Sequence, residues 1–351
     1  MTRYQSLCSH CPGGTCFIIP PHILENVINS AEDPAVRRRA VDNLHLQGHF
    51  RGMRAGIAQF AFAGLSTGTK RRTIYNAKNA TALPGTLARS EGAKKSRIVS
   101  VNEAYDGSGA TYDFFLNAFG RNSIDGNGMR LDSTIHYGRS YDNAFWNGQQ
   151  MVYGDGDGKL FGRFTQCLDV IGHELTHGIT QFTAKLDYQD QPGALNESMS
   201  DVFGSLLKQY TLGQSAAQAD WLIGAGLLVP KAGTLRTALR SMKAPGTAYN
   251  DPTLGKDPQP DHMKNYDTGS YDNGGVHINS GIPNRAFYLA ATAIGGNAWE
   301  VAGKIWYEVL TTRLKAQSQF ADAARETRDV AKKYGKPAAT AVDSAWKAVG
   351  L

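Results

Sequence analysis

The sequence predicts an α+β protein in two lobes, a β-rich amino-terminal lobe followed by a mainly α-helical one, and three observations carry this reading. From Arg72 to Tyr153, short β-branched and aromatic runs alternate with Gly, Asn and Asp turns. After Cys167 the apolar spacing becomes helical, with Ile171, Leu175, Ile179 and Phe182 on one stripe. At 351 residues, 41% hydrophobic and 19% charged, the chain can bury one large or two medium cores, which excludes disorder, collagen and coiled coil.

Each element follows in order. Between Pro20 and about His49, the apolar positions Ile23, Leu24, Val27 and Ile28, then Ala35, Val41, Leu44 and Leu46, predict two short helices broken near Asp33-Pro34. Ala55 to Thr69 is small, Gly-rich and acid-free, as in a linker or processing region. Strands are predicted at Thr73 to Tyr75, Arg97 to Val101, Ser133 to Tyr137, Ala144 to Trp146 and Gln150 to Tyr153, with Asp155-Gly156-Asp157-Gly158 as closing turn. Further helices are predicted at Ala286 to Ile294, Ala298 to Leu314 and Phe320 to Lys333.

The net charge of +6 is uneven: residues 1–100 hold 14 Lys or Arg against 5 Asp or Glu. A basic leading third opens the alternative of a nucleic-acid binder. Its clusters, Arg37-Arg38-Arg39, Lys70-Arg71-Arg72 and Lys94-Lys95, are short and lack interleaved aromatics, so a solvated face is the better reading and no nucleic acid is expected. Mean hydropathy is −0.36, and no apolar run approaches the roughly 18 residues of a membrane span. Met1 to Gly14 lacks a secretory apolar region, so the expectation is a soluble chain with no membrane partner and no Sec signal. Four cysteines, three of them (Cys8, Cys11, Cys16) crowded at the amino terminus and Cys167 alone, do not form a disulfide framework, and the redox compartment stays open.

The chemistry concentrates at Ile171-Gly172-His173-Glu174-Leu175-Thr176-His177-Gly178. On a helix, His173 and His177 share a face and can bind one metal ion, while Glu174 lies beside the ion without ligating it. From there its carboxylate can take a proton from a water that the metal acidifies and return it to a leaving amine, the arrangement of a zinc hydrolase. A catalytic zinc needs a third protein ligand. In Asn196-Glu197-Ser198-Met199-Ser200-Asp201, Glu197 and Asp201 lie four apart on a second amphipathic helix, opposite Leu195, Met199, Val202 and Leu206. Glu197 can ligate and Asp201 can hold the second nitrogen of a zinc histidine, with Asn196 in the same supporting shell. A third block, Tyr271 to Gly281, has Gly274-Gly275 for close backbone approach and Asp272 five residues before His277, a pair able to orient and charge an imidazole facing an oxyanion. By itself this block is a weak signal, and a satisfied loop histidine is the better reading.

Together with Asn143-Ala144-Phe145-Trp146 and Gly193 to Ser198, these blocks resemble the thermolysin family of zinc metalloendopeptidases over about residues 72–351. The resemblance implies a thermolysin-like zincin fold with the cleft under the His173 helix. It also implies one catalytic zinc on His173, His177 and Glu197, with Glu174 as general base. Tyr188 and His277 would then be donors to the tetrahedral intermediate, and Asp272 would orient His277. Asn143 and the Ala144 backbone resemble the edge strand that pairs with substrate, and Arg240 the arginine holding the carbonyl after the scissile bond. The pocket after that bond falls on Phe161, Phe164, Val170 and Leu239, implying cleavage of proteins and peptides before Leu, Phe, Ile or Val.

Pro20-Pro21-His22-Ile23-Leu24 is similar to the short precursor segment of the family's protealysin-like branch. The expected organisation is an inhibitory prosegment at residues 1–65, a β-rich lobe with the His173–His177 helix at 66–190, and a helical lobe at 191–351. Removal of the prosegment is expected within Ala55 to Lys70, and a permanent amino-terminal cap is the alternative. Relatives imply an extracellular, monomeric protease, which without a Sec signal would leave the cytoplasm by another route or by lysis. The family's double calcium site is not expected: Asp169 is kept, but Lys208 and a loop with Asp220 alone replace its acids, too few for six to eight oxygen ligands. Cys8, Cys11 and Cys16 read as a structural zinc site, as a thiolate capping the catalytic zinc, or as thiols without function. A different class, a catalytically silent peptide-binding zincin, would be expected to lack Glu174.

Overall fold

Prolines shape the first elements. Pro21 and Pro34 each stand at a helix start, where the missing N–H has no intrahelical partner to lose. Helix α1 spans Pro21–Ser30 and α2 spans Pro34–Ile57, so the break near Asp33-Pro34 is present while α2 runs past its expected end at His49. The computed structural model describes the backbone of residues 16–57 and 68–351, and the side chains of all of these except residues 48–57. Cys8, Cys11 and residues 58–67 of the expected processing region lie outside the described residues.

The amino-terminal lobe is built on strands β1 (Cys16–Phe17), β2 (Arg72–Asn76), β3 (Thr86–Ser90), β4 (Leu131–Ile135), β5 (Ala144–Trp146) and β6 (Met151–Tyr153). They form one sheet in the order β1-β5-β6-β4-β2-β3. The pairs β2–β4 and β4–β6 are parallel, and the outer pairs β2–β3, β5–β6 and β1–β5 are antiparallel. Arg97 to Val101, expected as a strand, instead leads into helix α3 (Val99–Phe119). The β-branched Ile98, Val99 and Val101 imitate a strand locally. Burial at Val101, Ala104, Tyr105, Ser108, Tyr112 and Phe115 keeps the helical period instead. A parallel β2–β4 pair also requires a crossover element, and α3 packs against β2 and β4.

Helices α4 (Leu168–Phe182) and α5 (Asp190–Leu212) carry the zinc-hydrolase segments. A Cβ on Gly204 would lie 2.5 Å from the Asp169 carbonyl oxygen, so the two helices meet nearly backbone to backbone. Lys208 of α5 ties this pair to the following loop: its Nζ lies 2.9 Å from Asp169 Oδ2, 2.9 Å from Asp220 Oδ1 and 2.7 Å from the Leu222 carbonyl. The segment α6 (Asp272–Asn279) opens on a left-handed turn, with Asp272, Asn273, Gly274 and Gly275 at φ 53°, 52°, 79° and 71°. Helices α7 (Gly281–Ile294), α8 (Ala302–Glu308), α9 (Phe320–Ala331) and α10 (Lys336–Ala348) complete the second lobe, with α10 packed on α7 and α9. Among the described residues, no helix is long and apolar enough to cross a membrane.

Candidate active site

His173 and His177 lie one turn apart on α4, both buried. The Nδ1 of His173 faces Asp201 Oδ1 at 2.8 Å and that of His177 faces Asn196 Oδ1 at 2.9 Å. These oxygens accept, so each Nδ1 carries the proton and each Nε2 presents a lone pair. The two Nε2 atoms nevertheless lie 3.0 Å apart, with the Glu197 carboxylate 3.5 Å from one and 3.4 Å from the other. Lone pairs converging on one point beside a carboxylate are stable around a cation. Glu197 Oε2 is buried without a hydrogen-bond partner, and two imidazoles with one carboxylate are a donor set of catalytic zinc. The residues present therefore fit the metal. Burial opposes ionisation of Asp201, but Arg240 and His173 outweigh it and hold the carboxyl down to about 2.

Glu174, adjacent to His173 in sequence, is fully buried. Its Oε2 accepts from the Trp146 amide at 3.0 Å, and its Oε1 has no hydrogen-bond partner. Burial pushes the carboxyl up to about 8, near the range in which one group can both take and return a proton. A bound cation works in the opposite direction.

His277 is held through Nδ1 by Asp272 Oδ1 at 2.8 Å, while its Nε2 lies 3.0 Å from the Phe17 carbonyl oxygen and 3.2 Å from the Tyr188 hydroxyl. Burial disfavours the imidazolium, but Asp272 and Glu197 prevail and raise its pKa, so both ring nitrogens can donate. The left-handed turn before it needs glycine, because a Cβ on Gly274 would lie 2.0 Å from Asp190 Oδ1. Tyr188 donates its hydroxyl proton to Glu197.

The residues before α1 fill this site. Cys16 pairs with Trp146 and Phe17 with Phe145, antiparallel, so β1 lies on the open edge of β5. Ile18 N–H donates to the Ala144 carbonyl at 3.2 Å, and Ile19 N–H to Asn143 Oδ1 at 3.0 Å. Arg240 donates from Nε to Asp201 Oδ2 and from Nη2 to Asp201 Oδ1, both at 2.8 Å, and from Nη1 to the Ile18 carbonyl at 3.3 Å. Phe161, Phe164, Val170 and Leu239 are all buried and belong to the same core cluster as Ile18 and Ile19, with the Phe161 and Phe164 rings 6.2 Å apart.

Sequence reading missed three contributors. The Trp146 amide on Glu174 is a backbone group and leaves no signal. Ser200, whose Oγ lies 3.0 Å from His177 Nδ1, follows Glu197 by three residues on the same helix and could have been found by that spacing. The strand at Cys16–Phe17 is signalled by the apolar run Cys16-Phe17-Ile18-Ile19 before Pro20, which no expected element covers.

Comparison with known proteins gives the same assignment from a second direction. The family model described as the thermolysin metallopeptidase catalytic domain matches residues 64–181, and the one described as its alpha-helical domain matches residues 184–351. The chain is 50% identical over 338 residues to an extracellular metalloprotease of Pectobacterium carotovorum, covering 96% of each. It is 41% identical over 290 residues to a thermolysin of Alicyclobacillus acidocaldarius, covering 79% of this chain and 50% of that one. The solved structure of the precursor of protealysin from Serratia proteamaculans superposes with a TM-score of 0.87 at 50% identity, covering 96% of this chain and 99% of that one. With both halves matched and the zinc-hydrolase geometry assembled from α4 and α5, the chain belongs to the thermolysin family of metallopeptidases, in its protealysin-like branch.

Proposed function

We propose that this metalloendopeptidase is made as a zymogen and, once matured, cuts internal peptide bonds on the amino side of large apolar residues near neutral pH. The observation that carries the reading is the strand in the cleft: residues 16–19 are held by the same groups that an extended substrate would engage. Residues 1–65 are accordingly assigned as an intramolecular inhibitor, 66–190 as the β-rich catalytic lobe and 191–351 as the helical lobe. The enzyme is assigned to act outside the cell, in line with the name of the Pectobacterium relative, and as a monomer.

His173, His177 and Glu197 would hold zinc, which when bound would supply a water of lowered pKa and an electrophile for the scissile carbonyl. Glu174 Oε1, which has no partner to leave, takes the proton of the attacking water and delivers it to the leaving amine. The His277 imidazolium, kept in place by Asp272, and the Tyr188 hydroxyl donate to the carbonyl oxygen as negative charge grows there. Asn143 and the Ala144 carbonyl align the substrate main chain, and Arg240 holds the carbonyl after the scissile bond. Phe161, Phe164, Val170 and Leu239 make the next side-chain pocket apolar, worth about 0.8 kcal/mol per buried methylene. The bulk of Phe164 shifts preference toward the smaller of the large apolar residues.

Digestion of casein and of a peptide library by matured wild type and by Glu174→Ala tests this. Cleavage before Leu, Ile, Val or Phe by wild type alone is the expected result. A charged residue preferred after the scissile bond, or equal digestion by Glu174→Ala, would overturn it.

A further inference from the structure

Cys16 lies in β1 and is 1% exposed, with its side chain packed in a small cluster with Tyr188 and Val276. Its Sγ, a ring nitrogen of His177 and a carboxylate oxygen of Glu197 all lie within 4.8 Å of one another. A second observation at the same spot is independent of the sulfur: Glu197 Oε2 is fully buried and lacks a hydrogen-bond partner. An unpartnered Glu197 oxygen, 3.5 Å from His173 Nε2, and a buried thiol thus lie beside the point on which the His173 and His177 lone pairs converge. Donors of one tetrahedral zinc, bound at about 2.0 to 2.3 Å, stand roughly 3 to 4 Å apart, and the sulfur, within 4.8 Å of the His177 and Glu197 donors, has to close up on them to join the set.

We propose that Cys16 is the fourth ligand of the catalytic zinc in the precursor, its thiolate occupying the position that hydrolysis requires for water. The inference rests on the assignment of residues 1–65 as prosegment and adds the chemical means of latency. The thiol proton passes to the buffer, a zinc–sulfur bond forms, one water leaves, and no electron changes hands. The rest of the strand shows why such a cap is needed. The Phe17 carbonyl receives a hydrogen bond from His277 and the Ile18 amide donates to Ala144, so the Phe17–Ile18 bond is presented much as a substrate bond would be. A sulfur at the metal excludes the attacking water and leaves that bond intact. This strand therefore inhibits without being consumed.

The test uses the full-length precursor in a Glu174→Ala background, so that self-cleavage cannot change the sample, loaded with one equivalent of zinc. Zinc-edge X-ray absorption is expected to show one sulfur at about 2.3 Å among nitrogen and oxygen donors. That sulfur should vanish in Cys16→Ser and in Cys16→Ala and persist in Cys8→Ser and Cys11→Ser. Iodoacetamide should alkylate Cys16 only after zinc is chelated. Hydrogen exchange on the same samples reads the underlying assignment separately, through protection of the amides of residues 18 and 19. Protection without a sulfur shell overturns the Cys16 assignment and leaves the prosegment standing, and so does a sulfur shell that survives Cys16→Ser. Unprotected amides overturn both. Because the unsubstituted sulfur ligand can already show the shell present or absent, a variant that fails to fold does not rescue the proposal.

Discussion

At Glu174 two influences act on one side chain: burial raises the carboxyl, and the Trp146 amide fixes Oε2 so that Oε1 alone is presented to the cleft. Glu174→Ala is therefore expected to lower kcat by about 10²- to 10⁴-fold with zinc content and fold retained, as read by atomic absorption and circular dichroism. In the role proposed for it His277 meets the reacting carbonyl only as a donor, so His277→Ala should lower kcat by about 10²- to 10³-fold, also with full zinc. Zinc loss in that variant would show that His277 supports the metal rather than the oxyanion. The site was largely legible because its chemistry is carried by side chains at helical spacing. His173, His177 and Glu197 point to a shared ion on any α4 and α5 that pack face to face. Backbone donors such as Trp146 N–H escaped notice, since any residue type can supply them.

The helices of the amino-terminal segment were legible from Pro21 and Pro34, whereas α3 was not, because three β-branched residues at its start outweighed a longer period that only burial makes visible. His22 joins α1 to the second lobe: the residue is half-buried, with its Nε2 3.0 Å from the Tyr249 hydroxyl and its Nδ1 enclosed without a partner. Burial pushes its pKa down to about 4; Asp272 opposes that shift, while His277 and Arg240 reinforce it. The docked element thus binds fewer protons than the undocked one, whose histidine titrates near 6.5. The contribution of His22 to docking is complete above pH 6.5 and falls away between 6.5 and 4. At pH 5 undocking should gain roughly 20-fold over neutral pH from this histidine. Hydrogen exchange of the Ile18 and Ile19 amides, in the Glu174→Ala precursor with and without His22→Gln, isolates that difference from the titration of the zinc ligands. Identical acid profiles for the two would exclude His22 as the sensor.

For the whole molecule, the contacts of Lys208 with Asp169 and Asp220 put an ammonium between α4, α5 and the loop after them, where a divalent ion would need many more oxygens. Millimolar calcium is therefore expected to move the Tm of the Glu174→Ala variant by less than about 2 °C. A rise of many degrees would mean that a calcium site survives. Lys208→Met, which leaves the buried Asp169 carboxylate its amide donors but no cation while half-exposed Asp220 returns to water, should cost about 1 to 3 kcal/mol in chemical denaturation, without rescue by calcium. The position of β1 in the sheet has a last consequence, for solubility. Strand β5 would otherwise end the sheet with an unpaired row of amides and carbonyls, the surface on which β proteins associate edge to edge. If the chain is a zymogen as proposed, a newly made chain carries its own cover for that edge, and only a finished fold that has shed it would expose the row, by then as a bed for peptides to be cut.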